Sequence, residues 1–245
     1  MGFTNCYADT VRAEAYAQLG FANTYYLAYR DLPGIIREYV TGTKTIDFGC
    51  GTGRSTRFAR QLGLNVTGLD IAPEMIAKTK ELDPGGDYRL AKDVDLRVFG
   101  AGAYDLVLSV FTFDNIPGFE AKALLFRDLG TLLKTSGRLV SVVSSPDIYL
   151  HEWASFSTKD YPENRLARSG DVVKIVTVDF ADHRPTEDIL CTDKTYRNVY
   201  DHAGLKLVAR YKPRAKGDEP YKWMNETKMA PWVIYVLRKK DLKNP

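Results

Sequence analysis

The residues best suited to chemistry form one run, Asp47-Phe48-Gly49-Cys50-Gly51-Thr52-Gly53-Arg54, followed by Asp70 17 residues after its last glycine. Glycines let a backbone turn tightly and approach a ligand with no Cβ in the way. An acid at the end of the next strand can accept both hydroxyls of a ribose. Together they point to a nucleoside cofactor at the C-terminal ends of parallel strands. The order of the glycines selects among nucleosides. A dinucleotide site uses GxGxxG and lays a pyrophosphate on the helix N-terminus. Here the order is GxGxG, with Asp47 two residues ahead of it. A carboxylate there repels a pyrophosphate and suits an amino-acid moiety carrying an ammonium group. That combination argues against NAD and for S-adenosylmethionine. A glycine turn in a purely structural βα unit is the competing reading, which the second acid weakens.

These residues need a frame, and the periodicity supplies one. Strands are expected at 44–48, 65–69, 87–92, 104–110 and 138–144, alternating with helices at 54–62, 73–82 and 120–134. Strand and helix at this spacing mean βαβ crossovers and a mostly parallel sheet covered on both faces. Residues 9–19 and 22–40 read as helices, the second restarting at Asp31-Leu32-Pro33. Strands at 206–211 and 232–237 have no helix-length run between them and should pair antiparallel at the sheet edge. Residues 172–178 alternate as a half-exposed strand, with 187–191 as its partner. The expected organisation is a single domain over 1–245: a helical cap (1–42), a cofactor half (43–150), an inserted hairpin or lid (157–193) and a C-terminal sheet half (194–240).

Composition narrows the function classes. The chain has 245 residues, 44% hydrophobic and 27% charged, which excludes disorder as its main state. Its formal net charge of +3 is too small for phosphate-backbone affinity to dominate, so nucleic acid is not an expected partner. Cys6, Cys50 and Cys191 lie far apart with no CxxC pair, which fits a reducing compartment. There is no 18-residue apolar run and no signal-peptide layout, so a cytoplasmic monomer with no membrane contact is expected. His151, His183 and His202 are scattered without metal-ligand spacing, and no metal is expected.

The runs DFGCGTG (47–53), LDIAPEMI (69–76), AKDVD (91–95) and YDLVLSV (104–110) resemble the class I S-adenosylmethionine-dependent methyltransferases. The resemblance implies a Rossmann-like α/β fold with a seven-stranded sheet and an antiparallel terminal strand. It implies S-adenosyl-L-methionine as cofactor and S-adenosyl-L-homocysteine as product. Asp47, Gly49, Cys50, Gly51 and Gly53 would form the loop, Asp70 would hold the ribose, and Ile71 and Met75 would flank the adenine. Asp93 would meet the adenine amino group, Val94 would supply backbone and Ser109 would lie against the cofactor. The third motif lacks a glycine before Asp93, and Asp95 competes with it. Tyr25 and Arg30, in the helical cap, are the remaining cofactor candidates, with Arg30 for the carboxylate. Three flanking runs, FANTYYLAYRDLP (21–33), FTFDNIP (111–117) and IYLHEWASF (148–156), resemble the toxoflavin-pathway N-methyltransferases, which methylate ring nitrogens of an azapteridine.

Signatures of other methyl acceptors are missing. Asp114-Asn115-Ile116-Pro117 lacks the second proline and the aromatic of an NPPY tetrad, and the loop after the fourth strand has no pair of glutamates. A small-molecule acceptor remains. Aromatic residues make up 12% of the chain. Those after strands four and five can sandwich a flat heterocycle: Phe111, Phe113, Tyr149, Trp153 and Phe156, with Tyr7 from the N-terminus and Asn115 or Glu152 addressing ring polar atoms. Packing of the helices onto the sheet is the alternative role for any one ring. Direct in-line displacement needs positioning and dryness rather than a catalytic constellation, and none is expected beyond positioning by Tyr7. The competing functions are a small-molecule O-methyltransferase, a non-catalytic S-adenosylmethionine-binding module and a nicotinamide oxidoreductase.

Overall fold

The computed structural model describes residues 10–92, 95–179 and 181–240. Three short helices, α1 (Thr10–Ala17), α2 (Thr24–Tyr29) and α3 (Leu32–Tyr39), precede the alternation. It then runs β1 (Lys44–Phe48), α4 (Arg54–Gln61), β2 (Asn65–Asp70), α5 (Pro73–Leu82), β3 (Asp87–Leu90), β4 (Tyr104–Val110), α6 (Phe119–Leu132) and β5 (Leu133–Ser144). The insertion holds β6 (Phe156–Ser157), β7 (Val172–Thr177) and β8 (Thr186–Ile189). The chain closes with α7 (Asp193–His202), β9 (Leu205–Tyr211) and β10 (Trp232–Lys239).

The main sheet is seven-stranded in the order β3-β2-β1-β4-β5-β10-β9. Pairings among the first five are parallel, and β10 runs antiparallel to both β5 and β9. The two C-terminal strands thus pair antiparallel at the edge of the sheet, as expected, with β10 lying between β5 and β9. Strand order reverses between β1 and β4, and at such a switch point the loops leave a crevice at the C-terminal strand ends. The glycine run leaves β1 at that crevice.

β4, YDLVLSV, is buried along its whole length, because both faces of the sheet are covered. Leu106 and Leu108 join a core with α2, α3 and the insertion, whereas Val107 joins a second core with α6 and α7. The hairpin pairs Val172 with Ile189 through Ile175 with Thr186, and β6 adds a third strand. Helix α7 was not expected. Its apolar contacts come from Tyr196, Val199 and Tyr200, the i, i+3, i+4 spacing of a helix face, and the Thr192 side chain caps it by accepting from the Thr195 N–H. Polar residues at the other positions hide this helix in the sequence.

Candidate active site

β1 ends in Asp47 and Phe48, and Gly49, Gly51 and Gly53 all take positive φ. Only this backbone geometry lets the chain double back into α4. A Cβ on Gly49 would strike the Thr112 side chain at 2.1 Å, whereas one on Gly51 would meet nothing within 4 Å among the described residues. The loop is thus walled behind Gly49 and open in front of Gly51. The Gly51 N–H donates to Asp70 Oδ2 at 2.8 Å and the Ala72 N–H to Asp70 Oδ1 at 2.9 Å. These bonds fix the carboxylate at the end of β2, although burial still raises its pKa. Ile71 beside it is 45% exposed, an apolar side chain left facing outward next to an acid.

Asp47 is fully buried. Its Oδ2 accepts from Ser55 Oγ at 2.7 Å and Thr56 Oγ1 at 2.6 Å, both at the start of α4. Among the described residues its Oδ1 has no hydrogen-bond partner, nor does the buried Ser109 Oγ on β4. Desolvation pushes the Asp47 pKa up to about 6, against the two hydroxyl donors that lower it. A buried carboxylate oxygen without a donor costs free energy unless a ligand supplies one. The orphaned Asp47 Oδ1, the open face of Gly51 and the anchored Asp70 fit a nucleoside that carries an ammonium group.

Several expected cofactor residues lie elsewhere. Arg30 pairs with Asp31 at 2.8 Å and Glu219 at 3.1 Å and lines a separate surface cleft with Tyr211 and Lys212, so it is directed away from the loop. Cys50 packs inward with Ile76 and Tyr88, and its N–H donates to Leu69 O at 2.9 Å, which removes both groups from a ligand face. Met75 is buried against Ala72. Asp93 and Val94 fall outside the described residues, as does Tyr7. Asp95, their competitor, caps the turn over Leu96–Phe99 and pairs with Arg97.

A second cleft, about 470 Å³ including its mouth, opens beside the loop. Tyr16, Tyr25, Phe111, Phe156 and Trp232 supply aromatic wall, and Arg54 closes the side toward the glycines. The Arg54 guanidinium lies 4.5 Å from the centre of the Tyr25 ring, a cation–π contact. Tyr25 meets Phe111, Phe156 and Trp232 at centroid distances of 5.9, 5.2 and 6.0 Å. Tyr25 therefore joins the aromatic wall rather than the glycine loop. The polar end of the cleft holds Asp114, Asn115 and Asp188, with Asn115 Nδ2 donating to Asp188 Oδ1 at 2.6 Å.

Of the expected acceptor residues, Phe111, Asn115 and Phe156 line this cleft and four others do not. Phe113 stacks on Phe126 at 3.7 Å in the core behind the sheet. The reason is backbone: Phe111 adopts φ 65°, and the tight turn over Thr112–Asn115 breaks the alternation that would have put both rings on one side. Tyr149 is buried and backs the cleft by donating its hydroxyl to Asp188 Oδ2 at 2.9 Å. Glu152 accepts from the Thr158 N–H at 2.6 Å and pins a loop. Trp153 is core and donates to Ile148 O at 2.9 Å. Sequence reasoning missed Arg54, Trp232, Asp114 and Asp188. Arg54 could have been found by its place next to Gly53; the others carry no local signal.

Residues 46–141 match the family described as a methyltransferase domain. Across 97% of this chain the structure aligns with all of an S-adenosylmethionine-dependent methyltransferase from Clostridium acetobutylicum, at a TM-score of 0.62 and 13% identity. The fold is that of S-adenosylmethionine-dependent methyltransferases. In sequence, the methyltransferase domain resembles a ubiquinone biosynthesis O-methyltransferase from Xanthomonas axonopodis, 33% identical over 42% of this chain and 46% of that protein. It also resembles a 2-methyl-6-phytyl-1,4-hydroquinone methyltransferase from Synechocystis, 35% identical over 40% of this chain and 31% of that protein. The chain thus spans less than half the length of these curated relatives. Among the described residues no helix is long and apolar enough to cross a membrane, and no three His, Cys, Asp or Glu side chains gather as a metal set.

Proposed function

We propose that the chain is an S-adenosylmethionine-dependent methyltransferase acting on a small flat heterocycle, with a ring nitrogen of an azapteridine-type acceptor as the methylated atom. The observation that carries this reading is Arg54. It directly follows the glycine loop and also walls the aromatic cleft, so cofactor and acceptor sites share one boundary. Asp70 would hold the ribose, Asp47 Oδ1 the ammonium and Ile71 an adenine face, with Arg54 in place of Arg30 nearest the carboxylate. When bound, the cofactor supplies a methyl group on a sulfonium, ready for in-line displacement. The cleft rings hold the acceptor flat and exclude water, and Asn115 sits where a ring polar atom would be read.

O-methylation is the second reading, favoured by the likeness to the Xanthomonas O-methyltransferase. The test is methyl transfer from labelled S-adenosylmethionine to a demethylated pyrimidotriazinedione and, separately, to a substituted catechol. Labelled N-methyl product is expected. Label on the catechol oxygen alone would replace the reading with the second, and cofactor binding with no transfer to either would favour a non-catalytic module.

A further inference from the structure

The cleft ends in two acids that methylation of a proton-free nitrogen would not need. Asp114, after β4, and Asp188, on β8, are 4% and 7% exposed and both line the cleft. Asp188 accepts from Asn115 Nδ2 at 2.6 Å on one oxygen and from the Tyr149 hydroxyl at 2.9 Å on the other. Asp114 accepts from the Ser144 N–H and hydroxyl at 3.0 and 2.9 Å. Among the described residues neither acid forms an ion pair. Lys122, on α6, gives its ammonium to Phe113 O, and Arg12, on α1, gives its guanidinium to the carbonyls of Arg184 and Pro185. Tyr149, Tyr196 and Cys191 are the other titratable groups around the pair. Burial raises both carboxyl pKa values, and for Asp114 the Asp188 charge raises it further.

At Asp114 an amide oxygen would serve Ser144 without the cost of burying charge, whereas Asp188 accepts on both oxygens, which an amide cannot do. What carboxylates add is basicity toward whatever enters the cleft. Resting on the proposed function, we propose that Asp188 is the general base of methyl transfer, that Asp114 is its positioning partner, and that the acceptor is therefore a protonated nucleophile, an N–H or O–H. The acceptor lone pair forms the new bond to the methyl carbon as the sulfonium C–S bond breaks, and the N–H or O–H proton passes to an Asp188 oxygen. Asp188 loses its negative charge in the step that discharges the sulfonium, so no isolated charge is left in a low-dielectric cleft. The Asp188 charge in turn raises the Asp114 carboxyl pKa, so the two acids compete for one proton.

Single-turnover methylation of the acceptor that the wild-type chain uses, with S-adenosylmethionine saturating so that Asp47 titration does not enter as binding, tests this. The wild-type rate should rise about tenfold per pH unit through the acid limb and level off as Asp188 ionises. Asp188→Asn should slow transfer by about 100-fold or more and abolish the limb, with S-adenosylhomocysteine affinity kept. Asp114→Asn should move the limb to lower pH, a change that a purely structural role would not cause. A flat wild-type profile from about pH 5 to about pH 8.5, or Asp188→Asn within about threefold of wild type with its limb intact, would overturn the assignment alone. Should Asp188→Asn not fold, the wild-type profile still decides. Wild-type protein that binds no S-adenosylhomocysteine would sink the functional reading, and this one with it.

Discussion

The two ends of the candidate site are built on different length scales of the chain. At the glycine loop the deciding hydrogen bonds join residues no more than 19 apart: Gly51 to Asp70, and Ser55 and Thr56 to Asp47. At the acceptor end Asn115 reaches Asp188 across 73 residues, Arg12 reaches Pro185 across 173, and Trp232 reaches Thr24 O across 208. A short-range site is encoded by its own residue types, because glycine and aspartate dictate the loop and its anchor wherever the rest of the chain goes. A long-range site exists only after the cap, the insertion and β10 have docked. One end is therefore a motif and the other an assembly.

The largest expected effect contrasts two rings within the assembly. Phe113→Ala should cost about 3–5 kcal/mol of stability, since it empties a buried stack on Phe126. Methyl transfer by the protein that remains folded should be near that of wild type. Phe111→Ala should do the reverse, with a smaller fall in melting temperature and about a tenfold loss in kcat/KM for the acceptor. Thermal melts with kinetics on both variants check this, and exchanged outcomes would mean that the cleft is misassigned.

A smaller effect concerns the motif end. Asp70→Ala should weaken S-adenosylhomocysteine binding by about 1.5–3 kcal/mol, the range for hydrogen bonds to charged groups, and leave the acceptor KM unmoved. Calorimetry showing unchanged affinity in a folded variant would remove the ribose assignment. The smallest separates two arginines. Arg54→Ala should weaken the same binding by roughly 1 kcal/mol, whereas Arg30→Ala should leave it within about twofold, because Arg30 is committed to Asp31 and Glu219. Equal losses in the two variants would place Arg30 back at the cofactor.

The same contrast separates what the chain's local order encodes from what it does not. The glycine order, Asp70 and the βα rhythm are local, so the fold class, the turn of the glycine loop and its anchor on Asp70 were legible. Phe113 was misplaced because alternation assumes an extended chain, and one left-handed residue at Phe111 turned the next ring into the core. Arg30 was assigned from its place before β1, but Glu219, 189 residues on, holds it. Glu152 and Trp153 looked like pocket residues by type, yet a loop N–H and a carbonyl claim them first. Helix α7 escaped because Tyr196, Val199 and Tyr200 make too narrow an apolar stripe to stand out.

What the sequence determined by itself is a doubly covered, mostly parallel sheet with a glycine loop and an anchored acid at its switch point. Hydrophobic period, glycine and an acid at a strand end act within a single βαβ unit. What only the tertiary structure decided is the acceptor end. A buried carboxylate acquires its basicity from desolvation and from its neighbours, and for Asp114 and Asp188 those neighbours come from β5, β8, α6, the cap and the turns after β4 and β5. No spacing in the chain records that meeting, because it is made by packing between elements far apart in sequence.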